Sequence, residues 1–221
     1  MRHSFAVSIT AVLLATGCSA TPPATATAPP SAASSSPPPI DVQALVQAVM
    51  IPEDSLTDAG GPAKPGWPDE LGAGWVSFIC REPVGTPDLG LSAKFTRTWV
   101  DPDAWFVQVS TFAWTNHSGT QMLDRLRDAT AACTEPFSMN QDLIAFTPEI
   151  KLPTYPEVAG FAHCARVKNG PDRKAGKNCY AYVAKGNALT KVELRNSGSG
   201  KLDDTLLAIT TVVAQRLRQK A

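Results

Sequence analysis

Residues 19–39 contain nothing but Ser, Ala, Thr and Pro, and this stretch constrains the folding of the chain more than any other. With no large apolar side chain and no charge it cannot contribute to a core. Its prolines, grouped as Pro22-Pro23, Pro29-Pro30 and Pro37-Pro38-Pro39, favour extended polyproline II at about 3.1 Å per residue. Whatever folds must therefore follow it, and the stretch reads as a stalk on the order of 50 Å long. A Pro-rich docking peptide is the alternative reading of the same composition.

Ahead of the stalk, Arg2 and His3 give a short basic start, and residues 5–16 run almost without polar interruption to Gly17 and Cys18. This is the pattern of an exported leader, and the apolar run is too short for a bilayer-spanning helix, which takes roughly 20 residues. Ala15-Thr16-Gly17-Cys18 resembles the lipobox of bacterial lipoproteins, with Ala15 where Leu, Val or Ile is commoner. The resemblance implies cleavage before Cys18 and acylation of its thiol, palmitate among the acyl groups. One chain holds a protein to a membrane only marginally, whereas two or three on one residue hold it firmly. The expected organisation is a leader over 1–17, a lipidated Cys18 with linker over 18–40, and one domain over 41–221 on the outer face of the cytoplasmic membrane. An ordinary secretory leader that happens to contain a cysteine is the alternative.

Setting Cys18 aside leaves Cys80, Cys133, Cys164 and Cys179, an even number that an oxidising compartment closes into two disulfides. No pair has the Cys-x-x-Cys spacing of zinc sites, so no metal is expected. Asn169-Gly170-Pro171-Asp172 is a turn signal between two strand-like runs. Folding back about it sets Cys164 opposite Cys179, within the short reach a disulfide requires. Elimination then pairs Cys80 with Cys133.

The chain carries 20 basic and 20 acidic residues, and removal of Arg2 with the leader leaves it one unit negative. No basic surplus points to nucleic acid or to anionic lipid. Asp41 caps a helix whose Val42, Leu45, Val46 and Val49 share a face, and Ile51-Pro52-Glu53-Asp54-Ser55-Leu56 reads as the first turn of another. Strands are expected over 74–81, 93–100, 105–114, 143–147, 158–167, from Cys179, and over 188–194. In the third, Phe106, Gln108, Ser110, Phe112 and Trp114 alternate with Val107, Val109, Thr111 and Ala113, so both faces are apolar and the strand belongs inside a sheet. Ser118-Gly119-Thr120-Gln121 is a capping box opening a helix through Cys133. Leu202, Leu206, Ile209, Val213 and Leu217 stripe a C-terminal helix with Asp203 and Asp204 at its start and Arg218 and Lys220 at its end, as the helix dipole favours. The fold class is α+β, a mostly antiparallel central sheet with helices packed on it and two disulfides.

The opening helix and turn over 45–60, the run Phe106-Val107-Gln108-Val109 leading to the helix that ends Ala131-Ala132-Cys133, the two later cysteines in strand context and the C-terminal amphipathic helix together resemble the actinobacterial exported sensor-domain lipoproteins, similar to the extracellular domain of the mycobacterial Ser/Thr kinase PknH. The resemblance implies an α/β sandwich with a central sheet, a ligand-binding cleft and no catalysis.

No reaction fingerprint stands beside it. His117 precedes a helix cap and reads as an exposed loop residue, while His163, beside Cys164 in a strand, reads as partly buried and hydrogen-bonded. Asp101-Pro102-Asp103 is turn chemistry before it is an acid and base pair. There is no G-x-S-x-G elbow, phosphate loop or H-E-x-x-H. Trp67 and Trp75 flank a Pro/Gly loop and are the candidate ligand-binding residues, with Trp67 the more exposed; Trp99, Trp105 and Trp114 read first as core. The expectation is a membrane-anchored, non-catalytic module without cofactor that binds a small ligand or an envelope protein. An envelope hydrolase and an assembly factor for a membrane complex are the alternatives.

Overall fold

The alternation read over 105–114 becomes the strand around which the sheet is built. In the computed structural model, which describes residues 40–59, 64–85, 91–101, 105–140, 142–169, 176–196 and 202–221, this strand is β5 (Trp105–Trp114), following β1 (Glu70–Gly72), β2 (Ser77–Ile79), β3 (Glu82–Val84) and β4 (Leu91–Asp101). The leader, Cys18, the stalk and Asp103 lie outside the described residues. Beyond β5 come β6 (Phe137–Met139), β7 (Asp142–Phe146), β8 (Ala159–Asn169), β9 (Gly176–Lys185) and β10 (Ala188–Asn196). Among the described residues, eight strands form one sheet in the order β1-β4-β5-β10-β9-β8-β7-β6, and every neighbouring pair is antiparallel. The expected α+β class holds.

Helix α1 (Val42–Val49) is capped as expected, with Asp41 Oδ1 accepting from the Ala44 amide at 3.0 Å. Helix α2 (Gly119–Ala132) carries the full capping box of Ser118 and Gln121. The third, α3 (Leu202–Lys220), is acidic in its first turn and basic in its last. Helices α1 and α3 cover one face of the sheet, where Val49, Leu206, Ile209, Val213 and Leu217 pack with Val107, Val109, Val192 and Leu194. On the other face Met122, Leu123 and Leu126 of α2 pack on Phe112, Trp114, Phe161, Tyr182 and Leu189. No helix of the described residues is long and apolar enough to cross a membrane.

Both disulfides form as expected. Cys164 and Cys179 are register partners on β8 and β9, and Cys80 bonds to Cys133, the residue capping the C-terminus of α2.

Two expectations are corrected. The single strand over 74–81 is instead the first arm of a separate β2–β3 hairpin. Cys80 and Arg81 form its turn with φ of 51° and 73°, the left-handed pair that a tight hairpin turn demands. The helix expected from Ile51 is a run of turns ending in a short 3-10 helix, Thr57–Ala59; the segment is too short to repay helix nucleation. Strands β1, β3 and β6 were not expected, since three residues are too few to display an alternation.

Candidate ligand-binding site

Side chains on a strand repeat every two residues, so the rows that begin beneath α2 continue past its edge. Phe112 leads to Ser110 and Gln108 on β5, Leu189 to Lys191, Glu193 and Arg195 on β10, Tyr182 to Tyr180 on β9, and Phe161 to His163 on β8. Left uncovered by helix, these residues floor a cavity of about 350 Å³. Trp75 and Phe78 from the β2–β3 segment, and Phe137, Ile144 and Phe146 from β6 and β7, supply its apolar lining, and Lys94 of β4 lies beside Gly74 at the approach to the hairpin. Tyr182 donates to Ser77 Oγ at 3.0 Å, tying the hairpin to the sheet.

The floor carries a buried charge cluster. Glu193 accepts on one oxygen from Arg195 Nε at 2.6 Å and on the other meets Lys191 Nζ at 3.0 Å. The carboxylate is 6% exposed and Lys191 13%. Burial alone would push the Glu193 carboxyl up, but the charges and hydrogen bonds of Lys191 and Arg195 outweigh it and hold it below the ordinary value. Lys191 also lies 5.3 Å from the centre of the Tyr180 ring, and the Arg195 guanidinium 4.9 Å from that of Phe106. Burial raises the Tyr180 phenol to about 12. Lys94 differs from its neighbours. It makes no ion pair or hydrogen bond among the described residues, and burial pulls its ammonium below the ordinary lysine value despite the opposing charge of Glu70.

His163 is buried and stacked among Phe161, Tyr180 and Tyr182, with Phe146 edge-on at 4.8 Å between ring centres. The expectation of a partly buried histidine is corrected, since the residue is 1% exposed; its polar neighbour is the Cys164 backbone, at a geometry short of a good hydrogen bond. Burial lowers its pKa to about 4, so the ring is neutral at pH 7. Ser110, the hydroxyl in the same cavity, is paired with Thr96 at 3.0 Å. It sits three strands from His163 in the order β5-β10-β9-β8, about 14 Å at the usual strand spacing, so the two do not form a nucleophile and base.

The structure separates the two tryptophans singled out in the sequence. Trp75, 43% exposed, lines the cavity; Trp67, 54% exposed, lies in a shallow depression with Glu53, Lys64, Pro65 and Asp69. Trp67 meets Phe106 edge-on at 5.7 Å, one ring removed from Arg195. Trp99 and Trp114 are core, and Trp99 donates to the Glu53 carbonyl at 2.8 Å. His117 is half-buried, not exposed. Cys164, Cys179 and Asp203 come within metal-binding distance of one another, but the two sulfurs are bonded together and offer no thiolate. Sequence reasoning missed Lys94, Lys191, Glu193 and Arg195. The available signal was three charged residues alternating with Val192 and Leu194 in one strand, a pattern that reads as a solvated face until the strand is placed at the centre of a sheet.

No protein-family model matches the chain, and no curated protein matches it in sequence. Among solved structures it is similar to the extracellular domain of PknH from Mycobacterium tuberculosis, with a TM-score of 0.58 at 10% identity, covering 82% of this chain and 98% of that one. The Rv0999 ortholog of Mycobacterium smegmatis aligns at a TM-score of 0.35 and 9% identity, over 57% of this chain and 66% of that one. The first likeness bears out the fold implied by the sequence resemblance.

Proposed function

We propose that this chain is a non-catalytic, sensor-like domain displayed outside the cytosol, anchored through a lipid on Cys18, whose cavity above β5, β10, β9 and β8 binds a small molecule. The observation that carries the reading is a cavity of about 350 Å³ with a buried ion cluster on its floor and aromatic walls. That is the size and mixture of apolar surface with a few convergent polar groups typical of ligand sites. Two disulfides agree with an oxidising compartment, and the likeness to a kinase extracellular domain agrees with display outside the cell. The wide separation of Ser110 from His163 favours binding over hydrolysis.

Two experiments test this. Native mass spectrometry of the full chain purified from its own membrane should find an added small-molecule mass that disappears when Ser110→Trp fills the cavity; an empty parent protein counts against ligand binding. Cys18→Ala should abolish metabolic labelling with a clickable palmitate analogue and leave the leader uncleaved at this site. Unchanged labelling removes the lipid anchor from the proposal.

A further inference from the structure

The cavity is not uniformly polar. Lys94, Lys191 and Arg195 lie on its β4 and β10 side with Glu193 as the one carboxylate among the lining residues, an excess of positive charge. Crossing the sheet through Tyr180 and His163, the lining becomes apolar at Phe137, Ile144 and Phe146. The lining on β7 is five strand steps from Lys94 on β4, about 24 Å at the usual spacing, but apolar surface also stands beside the cation: Trp75 follows Gly74, whose built Cβ would lie 3.9 Å from Lys94 Cδ.

One cation in this cavity lacks the counter-charge that its neighbours have. Lys94 is half-buried, lowered by desolvation, and without an ion pair among the described residues. His163 is 1% exposed and neutral at pH 7, an aromatic surface in the cavity floor. A partly desolvated ammonium without an ion pair costs free energy that an anionic ligand recovers. Lys191 and Arg195 are already engaged by Glu193, so the cation left to recognise a new anion is Lys94.

We propose that the ligand is an amphipathic anion: a carboxylate or phosphate head held by Lys94 with Lys191 and Arg195 behind it, and an acyl or aromatic body lying along Trp75 and Phe78 toward Tyr180 and His163. The proposal rests on the cavity being a ligand site and adds the chemical class. Opposite charge fixes the head, and the apolar wall rejects small hydrophilic anions such as inorganic phosphate, which gain nothing from burial of a body.

The test is calorimetric titration of the full chain with decanoate, decyl phosphate, decanol, decyltrimethylammonium and inorganic phosphate, each below its aggregation threshold. Decanoate or decyl phosphate should bind at least about tenfold more tightly than decanol, and decyltrimethylammonium and inorganic phosphate should not bind. Preference between the two anions separates a carboxylate source from a phosphate one. Lys94→Gln, which breaks no ion pair, should weaken the anion about tenfold and leave decanol binding and the melting temperature of the free protein unchanged. Decanol equal to both anions, or Lys94→Gln binding them as the parent does, overturns the anionic assignment while leaving the cavity a ligand site. Failure of every amphiphile also overturns it, and the native mass measurement then decides whether a different class occupies the cavity.

Discussion

Cys80, in the turn of the β2–β3 hairpin, is bonded to Cys133 at the C-terminal cap of α2, so the strand arm carrying Trp75 and Phe78 toward the cavity is fixed to the helix beside it. The bridge spans 53 residues in sequence and the Cys164–Cys179 bridge 15. In the chain-entropy account, removing the first costs about 4 kcal/mol and the second about 3. Urea unfolding of Cys80→Ala/Cys133→Ala should show the larger loss, with a change in Trp75 fluorescence at zero denaturant. A loss under about 1 kcal/mol would mean that packing, not the bridge, holds the hairpin.

Acid should destabilise the domain through His163. Its folded pKa of about 4 lies below the unfolded value of about 6.5. As pH falls through that window the unfolded chain takes up a proton that the folded one refuses, and stability drops. The loss is full at about pH 4 and amounts to about 3 kcal/mol. Glu193, held below the ordinary carboxyl value by Lys191 and Arg195, adds its own loss as pH falls past the unfolded carboxyl value of about 4.3, at the foot of that window. His163→Phe should give unfolding free energies nearly equal at pH 7 and pH 4.5. Parallel losses in parent and variant would acquit His163.

Removing Glu193 while keeping its two cations should be among the more damaging single changes. Glu193→Gln leaves Lys191 buried against Arg195 without a counter-charge, a loss of about 3 kcal/mol, at the low end for buried pairs because the Arg195 head reaches solvent. The triple variant Lys191→Met/Glu193→Leu/Arg195→Met removes all three charges together. It should recover most of that stability in equilibrium unfolding; if it does not, the cluster contributes through more than charge balance.

Gly119 is set by close approach. Its amide donates to the Gly186 carbonyl at 2.8 Å, and a Cβ built on it collides with the Ala188 carbonyl. On an exposed helix, Gly→Ala stabilises by up to about 1 kcal/mol. Here Gly119→Ala should destabilise by about 1–3 kcal/mol, as overpacking does, and thermal melting distinguishes the signs directly.

Much of the architecture was legible because its signals are local. Asp41 and Ser118 announce the starts of two helices through side-chain geometry confined to one turn. The alternation in residues 105–114 states that both faces of that strand are covered, and the turn residues after Val167 place Cys164 across from Cys179. Those properties depend on neighbours a few residues away. The short strands β1, β3 and β6 carry no such period, and the hairpin turn at Cys80 and Arg81 uses residues that do not advertise a left-handed backbone.

The candidate site divides in the same way. Sequence determined that an aromatic group near residue 75 stood beside a strand, and that charges alternated along residues 191–195. Only tertiary structure decided that α2 leaves those charges uncovered and that β10 lies near the sheet's centre, with Phe137 of β6 and Phe146 of β7 lining the same cavity. It also set Trp67 outside the cavity and Trp75 within it. The reason is physical: secondary structure follows from contacts along the chain, whereas a cavity is the space left when elements distant in sequence fail to cover one another, and no single segment encodes that shortfall.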